Sequence, residues 1–276
     1  MPQTINTNVV SMTAQRNLGT SQSSLSTSMQ RLSSGLRVNS AKDDSAGLAI
    51  AERMQSQVRG MNVAVRNAND AISMAQTAEG AIGKVGDMLQ RMRELAVQSA
   101  NATNSADDRS NLNSEFKELK AEISRTITAT KFNGKAVLSS DAGTLTFQVG
   151  ANTDDKVDIV TTNMNSNSDI SAVTVSTSTI SDVSSARTAM DNIDKALTKV
   201  NTERALYGAS QNRFETIIST LQVASENQAS ARGRIMDADF AAETANLSRA
   251  QILQQAGTAM VAQANALPQG VLGLLR

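Results

Sequence analysis

Two pairs of neighbouring carboxylates are the residues whose type and spacing could do chemistry. Asp43 and Asp44 form one pair, and Asp154 and Asp155 form the other. Paired carboxylates can exchange protons or bind a cation. The 276 residues contain no His and no Cys, so neither pair has an imidazole partner, and thiol redox chemistry is excluded. A helix cap for the first pair and a hairpin turn for the second are therefore the favoured interpretations.

Three glycines, Gly80, Gly83 and Gly86, could suggest a phosphate-binding loop. Such a loop needs a preceding strand and a Lys-Ser/Thr pair after the glycines, and the sequence has neither. Close packing between helices is the better interpretation. The methionines at helical spacing are likewise expected in a core rather than at a metal. No catalytic residue, metal or cofactor is predicted.

The composition indicates long helices rather than a compact aromatic core. Aromatic residues make up 2% of the chain, and the two prolines, Pro2 and Pro268, lie at its ends. The formal net charge of zero argues against a nucleic-acid partner. No stretch reaches the roughly 18 apolar residues of a membrane span, so no membrane insertion is expected. The N-terminus resembles no ordinary signal peptide, so secretion would need another export route.

Apolar residues recur every seven positions through most of the chain, which predicts an elongated helical coiled-coil bundle of mainly α class. Helices are expected over about residues 6–36, from Ser40 as N-cap to about 100, over about 105–130, from about 181 to an interruption at Gly233, and from Asp237 onward. In the second tract the partner row moves from i+4 to i+3, which predicts a rotating stripe. The main row of the second tract is Met54, Met61, Ala68, Ala75, Ile82, Leu89 and Ala96, and its partner row is first Val65 and Ile72 and then Val85 and Met92. The main row of the fourth tract is Ile193, Val200, Tyr207, Phe214 and Leu221.

One short insert, about residues 132–180, breaks the helical pattern. Asn133-Gly134 is a turn signal, and Ser105 with Asp108 resembles a capping box before the preceding helix. Within the insert a β-hairpin with one apolar face is predicted, followed after Thr161 by a Ser/Thr-rich loop of weak strand character. The alternating apolar residues are Leu145, Phe147, Val149, Val157 and Ile159.

The two chain ends are almost free of charge. Residues 1–30 carry only Arg16, and residues 246–276 carry only Arg249 and Arg276. Each end has a narrow apolar stripe that cannot offset the cost of ordering alone, but could when packed against copies of itself. Flexible tails are the alternative, although such tails rarely carry heptad leucine rows. The residues expected to pack are Leu18, Leu25, Leu32, Leu253, Met260 and Leu267.

Several blocks of the sequence resemble bacterial flagellin closely and in the right order. They are RLSSGLRVNSAKDDSAGLAI at residues 31–50, QRMRELAVQSAN at 90–101, FNG at 132–134, FQVGAN at 147–152, and residues 235–276, which include DADFAAETANLSRAQILQQAGTAMVAQANALPQGVLGLLR. The resemblance implies a filament subunit whose paired ends form an inner domain called D0 and whose next segments form a rod called D1. The implied divisions are 1–43 for the N-terminal half of D0, 44–180 and 181–234 for D1, and 235–276 for the C-terminal half of D0.

The resemblance also implies partners and recognition sites. The chain is expected to assemble with itself and to meet a flagellar export chaperone, a filament cap protein and a hook-filament junction protein. Arg91, Leu95 and Glu115 match positions read by a host Toll-like receptor, and all three are expected to be exposed. The patch that matches cytosolic innate sensors comprises Val271, Leu272, Leu274, Leu275 and Arg276, with Gly273 where relatives often carry Ser.

Two other functions remain as alternatives. A hook-filament junction protein, or another type III-secreted coiled-coil protein, would share coiled-coil ends but not both terminal blocks this intact. An enzyme with a metallopeptidase in its central region would need an H-E-x-x-H motif, which a chain without His cannot supply. A structural filament subunit, secreted and extracellular, is therefore the predicted function.

Overall fold

The computed structural model describes the backbone of residues 7–273 and the side chains through residue 267. The chain is mainly helical with a two-stranded sheet, as the sequence predicts. Contacts divide it into two compact units, Met1–Ser56 with Asn227–Arg276 as unit 1, and Gln57–Glu226 as unit 2. The elements are α1 (Val9–Ser34), α2 (Ser45–Ser99), α3 (Ala106–Ala129), β1 (Thr144–Gln148), β2 (Lys156–Val160), α4 (Ser168–Thr174), α5 (Val183–Met236) and α6 (Phe240–Gly273).

Helix starts follow side-chain capping, but not always at the predicted residue. Asp44, rather than Ser40, caps α2, because its Oδ1 accepts from the Gly47 backbone N–H at 2.8 Å. Ser105 and Asp108 form the predicted reciprocal capping box at the start of α3. The α6 start is also later than expected, because Asp239 accepts from the Ala241 N–H at 2.9 Å.

The buried seam of α2 is a regular heptad, so the prediction of a rotating stripe is wrong. The sequence pattern places Val65 and Ile72, four residues after Met61 and Ala68, in the buried stripe. The structure instead buries Ala64, Ala71 and Ala78, each three residues after a row residue and at most 1% exposed. Alanine fits these seam positions because its small side chain lets the backbone of a neighbouring helix come close. The larger Val65 and Ile72 lie half-buried at the edge of the seam. The seam is Met61, Ala64, Ala68, Ala71, Ala75, Ala78, Ile82, Val85, Leu89, Met92, Ala96 and Ser99.

Helix α5 runs antiparallel to α2 within unit 2 and buries the predicted row. Arg93 donates to Asp194 at 2.7 Å, and Gln211 donates to Glu79 at 2.7 Å. The residue number therefore increases along α2 in the direction in which it decreases along α5. Four of the five predicted residues are at most 1% exposed, namely Ile193, Val200, Tyr207 and Phe214. Gly233 does not interrupt the helix, which continues to Met236.

The β-hairpin forms with the predicted single face of alternating apolar residues. Strand β1 pairs antiparallel with β2, with Leu145 opposite Ile159 and Phe147 opposite Val157. Phe147 meets Phe214 of α5 edge-on, with ring centroids 5.8 Å apart. The Asn133-Gly134 turn is also confirmed, since both residues have positive φ, 48° and 81°.

The stretch after Thr161 contains a short helix, so the prediction of a loop with strand character is wrong there. Asn167 caps α4 by accepting from the Asp169 and Ile170 N–H groups. Ile170 and Val173, one turn apart, are each 1% exposed in the core of unit 2. Their burial stabilises a helix that its two Ser, one Thr, one Asp and one Val do not favour.

Unit 1 pairs the two ends of the chain, as predicted. The Asn8 side chain donates to the Ala264 carbonyl at 2.7 Å, and the Ser11 hydroxyl donates to Asn265 Oδ1 at 2.7 Å. At the other end of the pair, the Arg37 N–H donates to the Met236 carbonyl at 2.6 Å and the Ala238 N–H donates to the Gly35 carbonyl at 2.9 Å. These two backbone bonds form a clasp between residues 35–38 and 235–238.

Candidate functional site

The interface between α1 and α6 is built mainly from small residues. Ser11 and Ser28 of α1 and Ala250 and Ala264 of α6 are 3–5% exposed. A Cβ added at Gly257 would lie 3.0 Å from Leu18 Cδ1, so the two helices approach closely at this glycine. The small side chains bring the backbones together but bury little apolar area per residue.

The six predicted packing residues divide between two faces. Leu18, Leu25 and Leu32 of α1 are half-buried, and Leu18 lies against Gly257 of α6. Leu253, Met260 and Leu267 of α6 are instead 50%, 60% and 57% exposed. We call these three residues the outer row. They lie along one side of α6, next to the small-residue face that α1 covers, and their packing in an assembly stays a prediction.

Further large apolar side chains on unit 1 are exposed, and apart from Met29, four residues after Leu25, they were not singled out from the sequence. The others escape heptad analysis because they occupy positions outside the repeating rows. Each is at least 56% exposed in the folded chain. The additional residues are Val9, Val10, Met12 and Met29 of α1, and Phe240 and Ile252 of α6.

A polar groove of about 710 Å³ lies between α1 and α6. Its walls are mostly hydroxyl and amide side chains, with Arg31, Arg249 and Glu243 as the charged members. Arg31 and Glu243 are 3.9 Å apart, and Glu243 is 7% exposed. Arg16 and Arg249 form no ion pair with any residue whose side chain is described. The end pair therefore presents positive charge beside its apolar surface.

The positions that resemble the receptor-binding segment form a charged cluster on unit 2. Arg91 Nε donates to Glu115 Oε1 and Arg91 Nη1 donates to Glu94 Oε2, both at 2.9 Å. The hydrogen bond to Glu115, followed by the one to Glu94, raises the pKa of Arg91 above its ordinary value. Arg91 and Glu115 are exposed as expected, with side-chain exposures of 50% and 46%.

Leu95 is not exposed, and that expectation is wrong. Its side chain is 1% exposed, because it holds a position in the apolar cluster of unit 2 next to the α2 seam. The neighbouring exposed apolar residue on this helix is Val97, at 49%. The C-terminal patch cannot be compared in the same way. The side chains of Val271 and Leu272, and all of Leu274, Leu275 and Arg276, lie outside the described residues.

The residues that suggested chemistry have structural partners. Asp43 accepts from the Ser40 hydroxyl at 3.0 Å and from the Ser40 N–H at 2.9 Å, and these bonds, the hydroxyl first, lower the pKa of Asp43. Asp155 accepts from the Asn152 N–H at 3.0 Å in the hairpin turn, as predicted. Gly80 and Gly83 do not mark close packing, since a Cβ there would meet nothing within 4 Å.

The described part of the chain offers neither a metal-binding cluster nor a membrane-spanning helix. Among residues 7–267, no group of three or more carboxylates is placed to hold a metal ion. None of the helices in that described part is both long and apolar enough to cross a bilayer.

Comparison with known proteins gives matches along nearly the whole chain. The bacterial flagellin N-terminal helical region matches residues 5–142, and the bacterial flagellin C-terminal helical region matches residues 190–275. A flagellin of Halalkalibacterium halodurans is 46% identical over 99% of both chains. A flagellar filament 33 kDa core protein of Treponema phagedenis is 41% identical over 99% of both chains. The crystal structure of Bacillus cereus flagellin aligns with 60% of this chain and 94% of its own, with a TM-score of 0.51 and 31% identity.

Proposed function

The chain belongs to the bacterial flagellin family, and from that premise we propose that its outer row packs against neighbouring copies in the core of the filament. Its function is that of a structural subunit that self-assembles into the flagellar filament. The alternatives of a junction protein or another exported coiled-coil protein gain no support.

The observation that carries the proposal is the exposure of the outer row. Leu253, Met260 and Leu267 are half or more exposed on a helix whose small-residue face is already covered by α1. Full burial of a large aliphatic side chain stabilises an assembly by about 1.5–3 kcal/mol. Three such residues repeated in every subunit would outweigh the weak small-residue pairing inside one chain. Leu18, Leu25 and Leu32 then hold α1 against α6 within each subunit.

The folding of the end pair is coupled to assembly in this proposal. Small residues at the α1–α6 interface bury little apolar area, and helices without tertiary burial are marginal in water. Neighbouring copies supply the missing burial through the outer row. Residues 1–43 and 235–276 then act as the inner domain D0. Residues 44–180 and 181–234 act as the D1 rod, with the hairpin region at about 132–180.

Seeded polymerisation tests the outer row. Replacing Leu253, Met260 and Leu267 together by Ala should raise the critical concentration for filament growth steeply, since the exposed 50–60% of these side chains represents about 2–5 kcal/mol of apolar burial per subunit. The matched control is Leu253→Met with Met260→Leu and Leu267→Met, which keeps the apolar volume and should polymerise normally. Unchanged growth of the triple Ala variant, with unit 2 still folded, would refute the assignment.

Limited proteolysis and amide exchange test coupled folding. Protease should remove about residues 1–40 and 235–276 from monomers and leave a resistant helical fragment of unit 2. Filaments should resist cleavage at the same places. Strong exchange protection across residues 246–267 of the monomer, before any assembly, would show that the ends fold independently.

The remaining partners follow from the same surfaces and from family membership. An export chaperone would cover the outer row and its neighbours before assembly, and the chain would then leave through the flagellar export route to become extracellular. A filament cap protein and a hook-filament junction protein would meet the end helices at the two filament ends. The family role is structural, and no catalytic function is proposed.

Host recognition is the most specific of these proposals. Arg91 and Glu115 would contact a Toll-like receptor directly, while buried Leu95 would support them from beneath. The residues Val271, Leu272, Leu274, Leu275 and Arg276 would be read by cytosolic sensors. Arg91→Ala with Glu115→Ala should weaken receptor signalling by monomers, whereas exposed Lys84→Ala on the same helix should not. Equal signalling by both variants would overturn the assignment.

A further inference from the structure

Glu203 is a charged residue at a buried seam position of α5. The seam of this helix otherwise holds apolar side chains at spacings of three and four, including Val200 and Tyr207 on either side. Glu203 itself is 1% exposed. A buried carboxylate in a coiled-coil seam is costly unless its oxygens are paired, and its best-attested use is to fix register.

One oxygen of this carboxylate is fully engaged. Glu203 Oε1 accepts from the Thr162 hydroxyl at 2.7 Å and pairs with Lys199 Nζ at 2.6 Å. Thr162 lies just after β2, so the bond joins the exit of the hairpin to α5. Lys199 is 26% exposed, so its ammonium group reaches the carboxylate from the edge of the seam.

The other oxygen and a neighbouring hydroxyl are not engaged. Glu203 Oε2 and the Tyr207 hydroxyl are both buried, and neither has a hydrogen-bond partner among residues 7–267. Side chains at i and i+4 lie on one face of a helix, so the two groups are neighbours. Their proximity is also seen in Tyr207, whose pKa is raised by burial first and then by the charge of Glu203.

The chemistry of the two groups is complementary. Glu203 Oε2 can only accept hydrogen bonds, whereas the Tyr207 hydroxyl has a proton to donate. They are not hydrogen-bonded to each other, and a single molecule that both donates and accepts would satisfy both groups. Water is the smallest such molecule, and internal waters commonly join buried polar groups of this kind.

We propose that Glu203 and Tyr207 hold one internal water molecule, which accepts from the Tyr207 hydroxyl and donates to Glu203 Oε2. The water completes a polar node in which Thr162 and Lys199 occupy Oε1. The node gives α5 one register relative to the hairpin exit, because only this turn of the helix offers the carboxylate to Thr162.

The sign of the stability change caused by Tyr207→Phe distinguishes a hydroxyl that binds water from an unpaired hydroxyl. Tyr207→Phe removes only the hydroxyl, and it should lower the folding equilibrium constant of unit 2 by roughly 2- to 10-fold if a bonded water is lost. If the hydroxyl has no ligand, removing an unpaired buried polar group should leave stability unchanged or raise it. The measurement is urea unfolding of the full-length monomer, followed by circular dichroism.

Two controls localise the effect. Thr216→Val removes an exposed hydroxyl that bonds only the Asn212 carbonyl of the same helix, and it should not affect the node. A double-mutant cycle of Tyr207→Phe with Glu203→Gln should show coupling, since both changes perturb one water. Additive effects, or a neutral Tyr207→Phe, would overturn the proposal.

A high-resolution reconstruction of the filament distinguishes a bridging water from a direct hydrogen bond between Tyr207 and Glu203. Density for one molecule within hydrogen-bond distance of both Glu203 Oε2 and the Tyr207 oxygen supports the proposal. Direct contact between these two atoms, or their separation by apolar side chains, refutes it. Since Tyr207 is the single tyrosine of the chain, its near-ultraviolet signal reports this node alone.

Discussion

The same substitution at two glycines of α2 should change stability in opposite directions. At Gly60 an added Cβ would lie 2.8 Å from Ala151 Cβ and 3.1 Å from Ala151 Cα in the hairpin turn. At Gly80 an added Cβ would meet nothing within 4 Å. Both glycines lie inside one continuous helix, so the change in helix propensity is the same and only the surroundings differ.

The magnitudes follow from these distances. Replacing Gly by Ala inside a helix stabilises it by about 0.5–1 kcal/mol. Nothing opposes that gain at Gly80, so Gly80→Ala should raise the Tm by about 1–4 °C for a domain of this size. At Gly60 the normal carbon–carbon separation of about 3.5–4.0 Å requires the hairpin turn to move by roughly 1 Å. Overpacking of this kind costs about 1–3 kcal/mol, so Gly60→Ala should be destabilising by up to about 2 kcal/mol.

The hairpin cannot move freely to relieve the contact. Asn67 Nδ2 of α2 donates to the Gln148 carbonyl at 3.0 Å, which holds the end of β1 on the same helix. Ala151→Gly removes one of the two colliding groups, so adding it to Gly60→Ala should restore much of the lost stability. That rescue distinguishes a steric effect from an unrelated effect on folding.

Thermal and urea unfolding of monomers would measure all four proteins: wild type, Gly80→Ala, Gly60→Ala and the rescued double variant. Amide exchange of residues 144–160 would show whether the hairpin loosens. Equal stabilisation of the monomer by Gly60→Ala and Gly80→Ala would show that the hairpin turn does not contact α2 at Gly60.

Three further predictions concern other contacts. Gly257→Val should separate α1 from α6 and impair polymerisation without lowering the Tm of unit 2, since a Cβ there already meets Leu18 at 3.0 Å; normal filaments would contradict it. Ile170→Ala should destabilise unit 2 by about 2–4 kcal/mol in urea unfolding, because this side chain is 1% exposed in the core, and a neutral effect would show that α4 is dispensable. Hydrogen bonds from Ser105, its hydroxyl first, lower the pKa of Asp108, so the α3 cap is fully present above about pH 4 and is lost as the pH falls through the lowered value. Asp108→Asn should remove that acid dependence of unfolding.

The helices and the hairpin were predictable because their patterns depend on large side chains. Leu145, Phe147 and Val157 alternate as a two-sided strand requires, and the row through Tyr207 and Phe214 repeats every seven residues. The α2 seam was less predictable, because Ala64, Ala71 and Ala78 suit either the inside or the outside of a helix. Helix α4 has only two buried apolar side chains in seven residues, Ile170 and Val173, and tertiary burial rather than local preference stabilises it.

The candidate assembly surface was predicted in composition but not in orientation. Two heptad rows on α6 compete to face α1, one with Leu253 and Met260 and the other with Gly257 and Ala264. The close approach of Leu18 to Gly257 places the small-residue row against α1. A sequence pattern gives no such distance, so it does not show which row faces α1. The burial of Leu95 was similarly missed, because the resemblance identifies a position without indicating which way the side chain points.

The clasp of unit 1 joins parts of the chain that are synthesised far apart in time. Arg37 and Met236, whose backbones bond at 2.6 Å, lie near opposite ends of the sequence, and Asn8 bonds Ala264 across 256 positions. Contacts of such long range form late in folding, because closing the loop costs entropy before any contact offsets it. A chain that lacks residues 235–276 can still carry every seam residue of unit 2, but it has no partner for α1. We expect such a chain to fold in unit 2 alone and not to enter a filament, because neither the clasp nor the α1–α6 pair can form.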